Sequence, residues 1–206
     1  MKALESLWLI LVCSIVVSAC SATGQEDTTR LYVQALDSMQ GYPLSASQAG
    51  GHSSPEETAS EKNSIPDPLV AFIQLYQNLH TNPDLQRQIE TVYAESLFFN
   101  DTLHTFTHRD QLSSYLQRIT DKTEQMEIEI LGWSISDQDV HLRWAMDTQF
   151  RVLGRSVKNR TLGMSHLRFD HQGRIILHQD FWDSSQGFYE HIPVLGNIIR
   201  VIRNRV

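Results

Sequence analysis

The sequence has few of the features that mark disulfide-stabilised, nucleic-acid-binding or membrane-spanning proteins. It holds two cysteines in 206 residues, Cys13 and Cys20, and both lie in an N-terminal apolar segment, so disulfides cannot staple the rest of the chain. Its 17 basic residues against 24 acidic ones give a formal charge of -7, which offers no general attraction for nucleic acid. The apolar run at residues 7–19 is too short for a span of about 20 residues.

Residues 21–66 are rich in Ser, Gly, Gln, Thr and Glu. Their six acidic and two basic residues give a charge of -4, which leaves -3 for residues 67–206 because Lys2 and Glu5 cancel. Such a segment buries too little apolar surface to offset its chain entropy. We predict a disordered polar linker over residues 21–66, with a helical turn or two around residues 31–39, and one domain over residues 67–206.

Residues 1–20 are predicted to be an export signal, because the apolar run follows Lys2 and ends at small polar residues. The tetrapeptide Val17-Ser18-Ala19-Cys20 resembles the lipobox of bacterial lipoproteins, whose Cys is lipidated and becomes the first residue after cleavage. The resemblance implies a lipid-anchored envelope protein facing the periplasm, and Ser21 is similar to the pattern sorted to the outer membrane. Glu5 departs from the basic start of such signals, and an uncleaved signal anchor is the alternative.

Apolar residues at helical spacing predict three helices after residue 66. The first starts at Asp67 and ends near His80, the second follows Asn82-Pro83, and Thr107 is expected to cap the third. After Lys122 the spacing changes to two, which predicts strands. This order predicts an α+β fold in which the helices pack on one face of a curved antiparallel sheet.

Two strands joined by a turn at residues 170–173 close the predicted sheet. Successive side chains in a strand face opposite sides, so each strand divides into two faces. On the first strand one face carries Ser165, Leu167 and Phe169. On the second strand one face carries Ile176, His178, Asp180 and Trp182, while Ile175, Leu177, Gln179 and Phe181 take the other. An apolar strand with His, Asp and Trp in register predicts the wall of a pocket.

The order of elements and three motifs resemble the SnoaL-like branch of the nuclear transport factor 2 superfamily, over about residues 67–190. The motifs are Phe-Asn-Asp at 99–101, Leu-Arg-Phe-Asp-x-x-Gly-Arg-Ile at 167–175 and His-Gln-Asp-Phe-Trp-Asp at 178–183. The resemblance implies a cone-shaped domain whose sheet curls around the helices. It also implies a ligand pocket lined by Trp144, Met146, Ser165 and Trp182.

The steroid isomerases of this superfamily offer a catalytic template, a carboxylate base with an oxyanion hole made by a Tyr and a protonated Asp. The resemblance places Asp101 at the base and matches Tyr76 to the Tyr. Ser165 stands where the second acid would be, which argues against steroid isomerase chemistry. The other interpretation of Asp101 is turn chemistry, since Asn-Asp is typical of tight turns.

His178 and Asp180 could orient one another, bridge to Asp101 through a ligand, or form a satisfied polar network. With Asp101 and Tyr76 they complete the candidate catalytic set. A metal site from His166, His178 and Asp180 is not expected, because His166 should face the other side of its strand, and no cofactor is predicted.

The C-terminal run of Ile and Val residues alternates with Arg200, Arg203 and Arg205 and predicts a basic amphipathic helix. It could pack on the sheet, meet a dimer partner, or lie on an anionic membrane surface.

These patterns leave three functional hypotheses. The first is a membrane-tethered protein that binds a small apolar molecule or a protein partner in its pocket. The second is an isomerase or hydratase that uses Asp101 as general base. The third is an interaction module that dimerises through the outer face of its sheet.

Lipidation of Cys20 is directly testable. Mass spectrometry of protein extracted from membranes should show an N-terminal Cys20 that carries acyl chains, because more than one chain is needed for stable anchoring. Cys20→Ser should release the protein from the membrane fraction, while Cys13→Ser, in the segment removed by cleavage, should not. A soluble product that retains residues 1–19 would contradict the prediction.

Overall fold

The computed structural model describes residues 28–44, 65–152, 154–192 and 194–205. The chain divides into two compact units, Met1–Gln34 and Ala35–Val206, and a helix, α1, covers Thr28–Ser38. The predicted signal peptide, Cys20 and most of the predicted linker lie outside the described residues. In the part of the chain that is described, no helix is both long and apolar enough to span a membrane.

The described residues of the larger unit form five further helices and six strands. The helices are α2 (Asp67–Gln77), α3 (Leu85–Val92), α4 (Arg109–Lys122), α5 (Ser184–Gly187) and α6 (Leu195–Arg203), with a 3-10 turn at Tyr189–His191. The strands are β1 (Tyr93–Asn100), β2 (Thr105–His108), β3 (Thr123–Ser136), β4 (Asp139–Val152), β5 (Arg155–Phe169) and β6 (Ile175–Trp182). The boundaries of α2 and α4 differ slightly from the predicted ones. Pro66 precedes α2, which ends at Gln77 and not near His80, and the cap of α4 is His108 and not Thr107.

The six strands form one curved, unclosed sheet in the order β2-β1-β6-β5-β4-β3. Every neighbouring pair is antiparallel except β1 and β6, which are parallel. The predicted α+β class with helices on a curved sheet is confirmed, and the parallel pair is an addition to it. Strand β2 was not predicted, because its four residues are too few for an alternation to be recognised.

The core lies between the helices and one face of the sheet. Helix α3 contributes Leu85, Ile89 and Val92, spaced four and three residues apart, so they share one side of the helix. The sheet contributes Leu142, Leu167 and Phe169, which are at most 1% exposed. Burying each such side chain stabilises the fold by about 1.5–3 kcal/mol.

Two irregularities in the sheet change faces that strict alternation predicts. The register shifts opposite Arg168 and Phe169, so Phe169 pairs with Ile175 while Arg168 pairs with Leu177. Ile175 therefore joins the core, and its predicted place on the face opposite His178 was wrong. A second shift, between Ile130 and Gly132, turns Trp133 and Ile135 towards the core, where strict alternation from Ile130 would place Gly132 and Ser134.

Residues 35–44 contact β5, in a segment predicted to be a disordered linker apart from a helical turn or two around residues 31–39. The Tyr42 amide donates to the Phe169 carbonyl at 2.8 Å. The Arg168 guanidinium donates to the Leu36 and Met39 carbonyls at 2.7 and 3.0 Å and to Asp139 at 2.5 Å. The linker prediction missed these contacts because they join residues about 130 positions apart.

Arg168→Met should lower the free energy of unfolding by about 3 kcal/mol, because it leaves Asp139 and two carbonyls without their cation. The Arg168 side chain is 7% exposed. Arg174→Met is the matched control, since Arg174 is 34% exposed in its pair with Asp170 and should cost at most about 1 kcal/mol. Urea denaturation of the purified variants measures both values, and equal losses would show that the buried pair has no special role.

Candidate functional site

A cavity of about 660 Å³ lies between the helices and the concave face of the sheet. Its walls are mainly apolar, and they come from α2, α4, β3 and β4. All eight residues that the sequence proposed for a site line this cavity: Tyr76, Asp101, Trp144, Met146, Ser165, His178, Asp180 and Trp182. Strand alternation on β4, β5 and β6 accounts for most of this agreement, because inward positions on adjacent strands face one space.

His178 and Asp180 bond directly to one another. His178 Nε2 lies 2.8 Å from Asp180 Oδ1, and the Ser165 hydroxyl donates to the same oxygen at 2.6 Å. Trp144 Nε1 donates to Ser165 Oγ at 3.0 Å, which orients the hydroxyl towards Asp180. Oδ2 of Asp180 has no hydrogen-bond partner among the residues that the structure describes, and Asp180 lines the cavity.

The other side of the imidazole contacts two tyrosines. The Tyr93 hydroxyl lies 2.7 Å from His178 Nδ1, and the Tyr76 hydroxyl lies 2.8 Å from that of Tyr93. In a neutral ring, the carboxylate at Nε2 holds the proton there and leaves Nδ1 to accept from Tyr93. Tyr93 oxygen then accepts from Tyr76, so one continuous hydrogen-bonded chain runs from Tyr76 to Trp144.

The aromatic neighbours of His178 isolate the ring from water. His178 is 1% exposed, and the rings of Phe72 and Phe99 meet it edge-on at 5.3 and 4.9 Å between centroids. Burial, and then the negative charge of Asp180, raises the pKa of the Tyr76 hydroxyl well above its usual range. Burial raises the pKa of Tyr93 as well. Both tyrosines therefore act as neutral hydrogen-bond donors.

Asp101 has a different environment. Its Oδ1 accepts from the amides of Leu103 and His104 at 2.9 and 2.7 Å, and its Oδ2 accepts from the Tyr115 hydroxyl. Burial, followed by the charge of Asp101, raises the pKa of Tyr115, so this phenol stays a donor. The turn after β1 thus binds Oδ1 of Asp101, in agreement with the turn interpretation, and Tyr115 of α4 binds Oδ2.

Two tyrosines of the site were missed from the sequence. Tyr93 and Tyr115 are not among the predicted site residues, yet their hydroxyls bond to His178 and Asp101. The available signal was chemical, since a buried tyrosine hydroxyl needs a polar partner. His166, by contrast, lies away from the cavity and bonds to Asp139 at 2.8 Å. Among the described residues no cluster of three His, Cys, Asp or Glu could hold a metal ion.

We take the end of the cavity where β3 begins and β4 ends as its mouth, because exposed residues line it there. Thr123 pairs with Phe150 at this edge, and the exposed lining residues Lys122 and Arg151 lie beside them. Phe188 and Ile192 complete the edge, with the Phe188 ring 6.2 Å from that of Phe150. The mouth is therefore an aromatic and aliphatic rim with cationic side chains on its solvent side.

A family model described as an uncharacterized conserved protein (DUF2358) matches residues 71–178, more than half of the chain. The chain belongs to this family. The matched range begins within α2 and ends at His178, so it contains most of the hydrogen-bonded chain at the cavity. A comparison with curated proteins gives no match.

Solved structures with low sequence identity share the fold. A candidate SnoaL-like polyketide cyclase from Shewanella denitrificans OS-217 has a TM-score of 0.52 at 14% identity, over 59% of this chain and 94% of its own. One from Shewanella putrefaciens CN-32 has a TM-score of 0.51 at 16% identity, over 66% and 95%. A protein with a ketosteroid isomerase-like fold from Catenulispora acidiphila DSM 44928, in complex with trimethylamine, has a TM-score of 0.50 at 17% identity. The match covers 60% of this chain and 91% of that protein. They confirm a nuclear transport factor 2-like fold.

Tyr93→Phe tests the chain of hydrogen bonds at its centre. The change removes one hydroxyl but leaves Tyr76 and His178 Nδ1 buried without their partner, so the free energy of unfolding should fall by about 2 kcal/mol. Tyr115→Phe is the control, because Asp101 keeps its two amide donors, and its loss should be about half as large. Chemical denaturation of both variants measures the difference. A smaller loss for Tyr93→Phe than for Tyr115→Phe would contradict the assigned network.

Proposed function

We propose that the domain binds a small, mainly apolar molecule in the cavity and orients it through Asp180. The observation that carries the proposal is a cavity of about 660 Å³, lined by apolar side chains, in which one carboxylate oxygen lacks a partner among the described residues. Pockets for small molecules typically have about 300–1,000 Å³ and few polar groups. The dimensions and the Oδ2 atom of Asp180 favour this function over a purely structural role.

The chemistry of Asp180 indicates the kind of ligand. Its Oδ1 accepts from both Ser165 and His178, an arrangement suited to an ionised carboxylate, which only accepts hydrogen bonds. A ligand group that meets Oδ2 must therefore donate, as a hydroxyl or an amine does. The remaining surface of the ligand would contact the apolar walls, including Phe72, Leu142 and Met146.

The location of the protein belongs to the same proposal. We place the domain in the cell envelope of a bacterium, exported and tethered through lipidated Cys20. The support is the lipobox-like tetrapeptide at the end of an apolar run, followed by a polar segment. A protein partner in place of the small molecule is less well supported, because the apolar surface of the cavity is concave.

A second candidate function is an isomerase- or hydratase-type reaction. Its support is the chain from Tyr76 through His178 to Asp180, which sets a carboxylate beside a buried imidazole within an apolar cavity. In this version Asp180 is a better base than Asp101, since both Asp101 oxygens are bound by the turn and Tyr115. Tyr76 would turn its hydroxyl proton from the Tyr93 oxygen to the substrate oxygen that gains charge.

Native mass spectrometry of the purified protein should find a small molecule bound at one per chain. Asp180→Asn should lower its affinity about tenfold, because a hydrogen bond to a charged group contributes about 1.5–3 kcal/mol. Asp147→Asn is the control, since Asp147 pairs with Arg160 on the exposed side of the sheet and should leave affinity unchanged.

The same variants separate the two candidate functions. A ligand that is recovered unaltered supports binding, and one that is converted by the native protein but not by Asp180→Asn supports catalysis. Equal affinity for the native protein, Asp180→Asn and Asp147→Asn would remove Asp180 from the site.

A further inference from the structure

Helix α6 turns its apolar side to solvent. Ile198, Val201 and Ile202, which we name the α6 ridge, are 51%, 51% and 56% exposed. Val201 and Ile202 follow Ile198 by three and four residues, so the three side chains share one side of the helix. A helix that packs on a water-soluble domain normally places this side inward, and an exposed apolar stripe indicates a surface that binds something.

The contacts of the polar side fix this orientation. Arg203 pairs with Glu190 and, at 3.4 Å, with Asp183. Arg200 donates to the Asn197 side chain at 2.6 Å and to the Glu190 carbonyl at 3.4 Å. Gly196 lies so close to the Glu190 carbonyl that a Cβ there would overlap it. The arginines and the glycine therefore face the protein, and the α6 ridge must face away from it.

A second copy of this chain does not fit the size of the ridge. A helix of nine residues is about 14 Å long and about 11 Å across, so its outer half presents on the order of 250 Å². A stable interface needs about 800 Å² from each partner. The ridge is large enough to insert into a lipid surface, where the contact need not be extensive.

Positive charge lies at the neighbouring cavity mouth. Ile192 and Phe188, just before α6, line the cavity together with the exposed cations Arg118 and Lys122 and with Arg151, whose charge is balanced by Glu124. Neither Arg118 nor Lys122 has an ion pair among residues 28–44, 65–152, 154–192 and 194–205. Such a combination of apolar and basic side chains is complementary to an anionic membrane interface.

We propose that the α6 ridge docks on the surface of an anionic lipid bilayer. Ile198, Val201 and Ile202 enter the boundary between headgroups and acyl chains, and the cations of the cavity mouth meet the phosphates. The docking does not depend on the proposed ligand. When it occurs, the cavity mouth lies close to the lipid.

Hydrogen exchange tests the docking on the full chain. The protein is reconstituted into vesicles of phosphatidylcholine alone or with about 30% phosphatidylglycerol. In the phosphatidylglycerol vesicles, the exchange rate of the amides of residues 197–203 should be about one third of the rate in phosphatidylcholine vesicles, or lower. Ile198→Ser, Val201→Ser and Ile202→Ser combined should abolish the difference. The matched control combines Leu131→Ser and Leu162→Ser, two exposed apolar residues of the sheet, and should keep it.

Two results would overturn the proposal. One is equal exchange in both kinds of vesicle. The other is protection that rises with the number of protein molecules per vesicle irrespective of lipid charge, which would assign the α6 ridge to a second copy. Native mass spectrometry of the triple variant reports ligand occupancy separately, so failure of docking is distinguishable from failure of ligand binding.

Discussion

The buried imidazole of His178 is the constraint on which the rest of the site depends. A polar ring that is 1% exposed must find partners for both nitrogens, since an unsatisfied group would cost about 1–3 kcal/mol. Asp180 supplies one partner from the same strand, and Tyr93 supplies the other from β1. This second contact requires β1 to lie beside β6, where Phe99 pairs with His178. The parallel pairing of these strands therefore serves the polar network as well as the sheet.

Much of this arrangement was predictable from the sequence, because it follows from alternation. Trp144, Ser165, His178 and Asp180 lie on adjacent strands at inward positions, so a period of two places them on one wall. Alternation fails at a bulge, as at Ile176, since one extra residue reverses every face beyond it. It also contains no information on Tyr93 and Tyr115, whose hydroxyls meet partners from other elements, or on residues 35–44, which bond to Arg168 across the fold.

Ser165 alters the chemistry of the cavity relative to the steroid isomerase template. A second carboxylic acid at this position would place two like charges near one another and would favour one protonated form. The serine hydroxyl instead donates to Asp180, and Trp144 donates to the serine. Asp180 is thereby stabilised as an acceptor, while Asp101 is held by a turn. The two carboxylates of the cavity therefore differ: within the described part of the chain both oxygens of Asp101 accept a hydrogen bond, whereas Oδ2 of Asp180 accepts none.

Docking of helix α6 on a bilayer would place the cavity beside a source of apolar molecules. A molecule that prefers an apolar cavity of about 660 Å³ also prefers a bilayer to water, because both remove its surface from solvent. Phe188 and Ile192 line the cavity immediately before α6 begins. With the α6 ridge on the lipid, such a molecule would leave the bilayer beside the cavity mouth, and its exposed path through water would be short. The outward apolar face of α6 and the apolar cavity would thus both keep the surface of an apolar ligand away from water.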